Sequence, residues 1–214
     1  MRVVDSFCGE GVSPTKETTV DPRVNELQCI MPIANVGSVL DRGILSYENA
    51  AKLQHLSVAL QPIQDKRDKK SVPGGLKLHQ YANLYFHARN PMMFKRQGEA
   101  SNLCVLQVST QILGLKGTVI SDQNAASDYV RFLDPKQWQV LDFDAIYAMD
   151  WRHPGDPAAF WRHKAQKCAE VLVPNRVDVQ FIKGAHVLDD ASKAKLVASG
   201  FKLPITTSPV LFFR

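Results

Sequence analysis

Glu170 is the residue whose chemistry stands out first. It follows Lys167-Cys168-Ala169 and opens the apolar run Val171-Leu172-Val173. A carboxylate at the mouth of an apolar strand is costly unless it faces solvent, pairs with a cation or lines a cleft. A general base and an ordinary edge-strand glutamate look alike at this level, so both readings stand. The second stretch is Leu78-His79-Gln80-Tyr81-Ala82-Asn83-Leu84-Tyr85-Phe86-His87-Ala88-Arg89-Asn90-Pro91-Met92, an aromatic, alternating run ending in a proline turn. Tyr81, Tyr85 and Phe86 offer faces on which a planar ring could stack, or rings for a core. His79, His87, His153 and His163 lack metal-ligand spacing and suit packing roles. GxGxxG, Walker A and HExxH patterns are absent, which leaves dinucleotide-fold, P-loop and zincin chemistry without support.

The elements that must position these residues follow from local pattern. Cys29 to Ile33, Tyr81 to Phe86, Leu103 to Val108, Thr118 to Ile120 and Glu170 to Val173 read as strands, as do Gln180 to Ile182 and Pro209 to Phe213. Asn35 fits the N-cap of a helix over 36–42 that Gly43 stops, and Ser46 fits the cap of another through Leu53. Further helices are expected over 125–132, 143–149, 157–167 and 190–199. Residues 61–77 are charged, carry Pro73-Gly74-Gly75, and read as a functional loop. Strands and helices mix without regular alternation, which argues for an α+β fold rather than a doubly wound sheet.

With 214 residues the chain fits one domain, expected over 25–214, with a loose polar arm over 1–24. Cys8, Cys29, Cys104 and Cys168 show no CxxC spacing and read as reduced core thiols. No run approaches the roughly 20 apolar residues of a membrane span, and no signal-peptide pattern opens the chain, so a cytoplasmic protein is expected. A charge of +5 permits a nucleic-acid partner without requiring one. Its distribution says more. Asp65-Lys66-Arg67-Asp68-Lys69-Lys70 and Lys95-Arg96 flank the aromatic run, and Arg162, His163, Lys164 and Lys167 lead into Glu170. Solvated surface is the usual fate of such runs; three clusters around two site segments also suit a polyanion groove.

Taken in order, these blocks resemble the DarT family, bacterial toxins that transfer ADP-ribose from NAD onto bases of single-stranded DNA. Ala169-Glu170-Val171-Leu172-Val173 is similar to the family's catalytic strand. Ile63-Gln64-Asp65-Lys66-Arg67, ahead of Val72-Pro73-Gly74-Gly75, is similar to the helix that carries its arginine. Leu78 through Met92 resembles the next block and Ser121-Asp122-Gln123-Asn124-Ala125 the one after, and the similarity runs from about Glu26 to the C-terminus. Two departures stand out. The family's cofactor strand usually reads His-Ile-Thr-His, here Cys29-Ile30-Met31-Pro32, and the Gln two before its glutamate is here Cys168. Both variants resemble the guanine-modifying branch.

The resemblance implies an ADP-ribosyltransferase-like fold, with central mixed or antiparallel sheets and flanking helices. It implies Glu170 and Arg67 as catalytic residues, and NAD as co-substrate with no metal. Cys29, Ile30, Met31, Ser38, Ser46, Arg67, Tyr81 and Tyr85 would bind the cofactor, the first three through their backbone. His87, Arg89, Lys95, Arg96 and Cys168 would contact DNA. The acceptor would be guanine first and thymine second, and the protein would be the monomeric toxin of a toxin–antitoxin pair whose antitoxin is an ADP-ribosyl-glycohydrolase. A transferase acting on protein or RNA, and a non-catalytic single-strand-binding module, are the competing readings.

Overall fold

The computed structural model describes residues 21–214, so most of the expected arm lies outside the described residues. Ten strands are β1 (Leu27–Pro32), β2 (Ile44–Leu45), β3 (Tyr81–Tyr85), β4 (Leu103–Val108), β5 (Val119–Ser121), β6 (Phe132–Leu133), β7 (Glu170–Pro174), β8 (Arg176–Val177), β9 (Ile182–Val187) and β10 (Ile205–Thr207). Seven α-helices are α1 (Val36–Arg42), α2 (Tyr47–Ala50), α3 (Gln61–Asp68), α4 (Pro91–Lys95), α5 (Phe143–Tyr147), α6 (Pro157–Gln166) and α7 (Asp190–Ala198). Eight strands form one sheet in the order β10-β9-β4-β1-β3-β7-β5-β6, and β2 pairs with β8. Only the β9–β10 ladder is parallel, so this is a mixed α+β sheet flanked by helices, as expected.

The strand runs are apolar on successive residues because both faces of the sheet are covered. Cys29, Met31, Leu84, Leu106 and Val171 join one buried cluster, while Ile30, Tyr85, Val105 and Cys168 join a second on the other face. Period-two alternation therefore sends neighbouring residues into different cores.

Several local expectations change. The charged stretch from 61 holds α3 rather than loop alone, with Pro62 in its first turn and Gln61 Nε2 donating to Asp65 Oδ1 at 2.8 Å. Residues 125–131 are turns, not a helix, and Phe132–Leu133 pairs as β6. Pro209–Phe212 forms a 3₁₀ turn where a strand was expected, since Pro209 lacks the N–H a ladder needs. The strand expected at 180–182 begins only at Ile182, after a 3₁₀ turn, and runs to Val187. Ser46 Oγ accepts from Asn49 N at 3.3 Å, but its helix stops at Ala50. Asn35 precedes α1 without capping it, because its amide is used elsewhere.

Candidate active site

The sheet opens between β1 and β3. β1 pairs with β4 along all six of its residues, yet meets β3 at Gln28↔Tyr85 alone. The closed end is held by Gln28, whose Oε1 accepts from Ala88 N at 2.6 Å and whose Nε2 donates to Glu26 Oε1 at 2.6 Å. Beyond it the strands part, and a cavity of about 520 Å³ fills the gap, within the roughly 300–1,000 Å³ of small-molecule sites. Cys29, Ile30, Met31 and Pro32 line one wall; Tyr81, Asn83 and Tyr85 line the other. Residues from both faces of β1 reach the cavity, so the strand presents its edge, and with it backbone donors and acceptors, to whatever the cavity holds.

Glu170 forms the floor. It is 1% exposed, and Nη1 of Arg67 lies 3.1 Å from its Oε1 and 3.0 Å from its Oε2. A backbone amide, Ala125 N, donates to Oε1 at 3.0 Å. The carboxylate at the strand mouth is thus neither solvated nor an ordinary edge residue: it is buried, paired and in the cavity wall. One guanidinium nitrogen makes both contacts, and the other N–H groups of Arg67 take no hydrogen bond among the described residues. They are available to a ligand.

Three elements hold this pair in register. β7 is sandwiched between β3 and β5, with Tyr85 and Ser121 opposite Glu170. Ser121 Oγ accepts from Glu170 N at 3.2 Å and donates to Gln123 O at 2.7 Å, which sets the turn that presents Ala125. Lys70, just past α3, donates to Ala126 O at 3.0 Å, Ser127 O at 2.6 Å and Asp128 Oδ1 at 2.8 Å. Asn124 N donates to Ala165 O at 3.0 Å on α6. The 124–128 turn therefore couples Arg67's helix, Glu170's strand and α6.

Two loops frame the opening. Tyr81 Oη accepts from Leu76 N at 3.1 Å, and a Cβ on Gly75 would come within 2.7 Å of that hydroxyl, so Pro73-Gly74-Gly75 acts as a tight seat for Tyr81. Residues 55–60 cross the cavity as a strap whose members all line it. Asn35 pins one end, donating to Leu56 O at 2.7 Å and accepting from Leu56 N at 3.1 Å. Arg96 pins the other, donating from Nη2 to Val58 O at 3.0 Å and from Nε at 3.2 Å.

The electrostatics are one-sided. Lys66, Arg67, Lys95 and Lys164 line the cavity with His55, and Glu170 is the one acid among the described lining residues. Such a lining attracts phosphate and nucleic-acid backbone. Burial pushes the Cys29 and Cys168 thiols up to about 12, so both are protonated and neither serves as a thiolate nucleophile. Burial likewise raises the Tyr85 hydroxyl, which donates to Met92 Sδ at 3.4 Å.

Of the residues singled out in the sequence, Glu170, Arg67, Cys29, Ile30, Met31, Tyr81, Tyr85, Lys95 and Cys168 meet at this cavity. Five others do not. Ser38 is exposed on α1, and Ser46 is fully buried beside it, bonded to Asn175 O. His87 packs on Tyr147, with ring centroids 5.1 Å apart, and lies 3.2 Å from Lys167 Nζ through its Nδ1. Arg89 lies 4.0 Å over the Phe213 ring and donates to Val210 O, which ties down the chain's last residues. Arg96 fastens the strap from behind. Lys167, read in a basic cluster that suits either solvated surface or a polyanion groove, is instead fully buried and donates to Ile146 O at 2.7 Å and Ala148 O at 2.8 Å. The sequence reading missed Asn83, the strap and Trp161. The spacing of Trp161, Lys164, Ala165 and Cys168, all lining the cavity, is a helical i, i+3, i+4, i+7 stripe that could have revealed that face.

A buried carboxylate bridged by an arginine, on the floor of a cationic cleft where a mixed sheet splits, suits general-base chemistry on an anionic ligand, which is the class of chemistry ADP-ribosyltransferases perform. Within that class, the sequence profile of DarT, described as ssDNA thymidine ADP-ribosyltransferase, matches residues 29–213, and the chain belongs to that family. A DNA ADP-ribosyl transferase–DNA ADP-ribosyl glycohydrolase fusion protein of Thermosipho africanus is 30% identical over 203 residues, covering 90% of this chain and 50% of the relative. The chain thus spans about half the length of that fusion protein. Its structure with ADP-ribose superposes with a TM-score of 0.76 at 26% identity, covering 88% of this chain and 51% of that one. The DNA ADP-ribosyl transferase of Thermus sp. 2.9 is 30% identical over 165 residues, 71% of this chain and 76% of the relative. Its structure with ADP-ribosylated ssDNA shares the fold at a TM-score of 0.78 and 22% identity, covering 91% of this chain and 99% of that one. The same Thermus protein has been solved with NAD+, at a TM-score of 0.73.

Proposed function

We propose that the chain transfers ADP-ribose from NAD onto a base of single-stranded DNA and releases nicotinamide. One observation carries this reading: the Arg67–Glu170 pair is buried in the protein yet opens onto a cationic cavity at the split between β1 and β3. The free edge of β1 at Cys29–Met31 suits the nicotinamide amide, which needs both a donor and an acceptor. Arg67, Lys66 and the strap suit the pyrophosphate and its ribose.

The reaction breaks the bond between the ribose anomeric carbon and the nicotinamide nitrogen, and nicotinamide leaves with the bonding electron pair. A base nitrogen of the acceptor forms the new bond to that carbon, and its proton passes to the Glu170 carboxylate and on to solvent. Glu170 also accepts from the nicotinamide ribose and stabilises positive charge on the sugar, while Arg67 holds the carboxylate's orientation. A positioned base of this kind contributes on the order of 10²–10⁴ in rate.

We take guanine as the acceptor and thymine as the second choice. Cys29 and Cys168 favour the first, since both depart from the usual residues of the family and both line the cavity; the profile's description favours the second. The fusion partner of the Thermosipho relative supports a toxin whose antitoxin is a DNA ADP-ribosyl glycohydrolase. Residues 25–214 are read as one catalytic domain, acting as a monomer in the cytoplasm. No helix among the described residues is long and apolar enough to cross a membrane.

Four single-stranded oligonucleotides, each lacking one base, test the acceptor when incubated with protein and NAD. Modification of all but the guanine-free strand is expected. Equal modification of the guanine-free strand overturns the base, and modification of none overturns the reading.

A further inference from the structure

Trp161 is the most exposed of the chain's tryptophans, at 62%, whereas Trp151 is buried and Trp138 half-buried. It lies on α6, and with Lys164, Ala165 and Cys168 it forms one stripe that runs from the surface down the cavity wall. Lys164 Nζ sits 4.4 Å over the indole ring, within range of a cation–π contact. The stripe's inner end is tied to the catalytic floor, because Ala165 O accepts from Asn124 N in the turn that presents Ala125 to Glu170. This wall belongs to α6 and the residues just after it, a different element from β1, whose edge takes the cofactor in the reading above.

The exposed indole fills no core, and much of its apolar ring surface is open to a ligand that could cover it. Stacking by a flat, uncharged ring would cover that surface, and the ammonium beside it suits the phosphate next to such a ring. A nucleic-acid strand supplies both groups at nucleotide spacing. We propose that Trp161 and Lys164 form a stacking platform for the nucleotide adjoining the acceptor base of single-stranded DNA. The inference rests on the proposed transfer to DNA and adds to it the place where the strand enters: over α6, with its neighbouring base on Trp161 and the acceptor base directed inward past Cys168.

Binding of a fluorescently labelled single-stranded oligonucleotide, measured by anisotropy without NAD, tests this. Trp161→Ala is expected to raise Kd about tenfold, in line with stacking on an aromatic side chain, and Trp161→Phe to recover most of the loss. The indole is solvent-facing, so neither change empties the core. An unchanged Kd in Trp161→Ala, or equal losses in both variants, overturns the platform. So does a Trp161→Ala protein whose affinity for NAD falls while its affinity for DNA holds, because the ring would then hold the cofactor's adenine. If the wild-type protein binds the strand with these Trp161 effects but transfers nothing to it, the functional reading fails and the platform stands.

Discussion

Nη1 of Arg67 bridges both carboxylate oxygens of Glu170, at 3.1 and 3.0 Å, from a helix 103 residues away in the chain. Nε and Nη2 of Arg67 make no hydrogen bond among the described residues, and the residue lines the cavity. Glu170→Gln keeps the shape and an acceptor for Ala125 N while removing the base, so transfer is expected to fall by at least about 10²-fold. Nicotinamide release in the presence of DNA is the measurement, and wild-type-like release removes Glu170 from the chemistry. Glu170→Ala is the poorer test. It strands a buried guanidinium, at a cost of about 3–5 kcal/mol, so lost activity would be confounded with unfolding.

Arg67→Lys is expected to retain part of the activity and Arg67→Ala essentially none. A lysine ammonium is a point charge and cannot serve Glu170 and a phosphate from one planar group. The comparison is made on kcat, with urea unfolding of each variant alongside. Equal activity in Arg67→Lys and wild type would leave no need for the planar fork.

Lys70 does not itself line the cavity, yet its three hydrogen bonds fix the turn that supplies Ala125 N to Glu170. Lys70→Met keeps the alkyl stem and loses those bonds. It is expected to lower kcat several-fold, to leave KM for NAD near wild type, and to lower stability by about 1–3 kcal/mol. A change confined to the KM for NAD would point to a different role for the turn.

His87 gives a pH dependence. Its burial and the Lys167 ammonium beside Nδ1 lower its pKa from 6.5 to about 4. Between those values the unfolded chain binds more protons than the folded one, so stability falls as the pH drops through that window and the loss is complete below about 4. The contribution is on the order of 3 kcal/mol. Urea unfolding at several pH values should show a shallower acid slope in His87→Gln than in wild type. Identical slopes would mean that the imidazole titrates normally.

The strands that carry the site were legible because continuous apolar runs are the signature of a sheet covered on both faces, and Glu170 stood out as the one charge opening such a run. Arg67 was not derivable from local pattern. Its helix is charged and lies in a stretch that read as loop; only the resemblance to a family made it a catalytic candidate, and its contact with Glu170 comes from the structure. The basic residues sorted least well. Lys164 and Lys95 face the cavity, but Lys167 is fully buried on backbone carbonyls, and Arg89 and Arg96 hold other parts of the chain. A cation's sequence position does not say which carbonyls the fold will bring to it. The turn over 125–131 was misread as a helix because its alanines carry helical propensity. What decides there is tertiary: the ties to Lys70, Ala165 and Glu170.

Mass spectrometry of a mixed-base single-stranded oligonucleotide, incubated with the protein and NAD, tests the central claim most directly. The same strand annealed to its complement and the Glu170→Gln protein serve as comparisons. A strand heavier by one ADP-ribosyl group, one nicotinamide released per modification, and suppression in the duplex are expected, since extruding a paired base costs a few kcal/mol. Nicotinamide release with an unmodified strand, or equal modification by Glu170→Gln, would contradict the account.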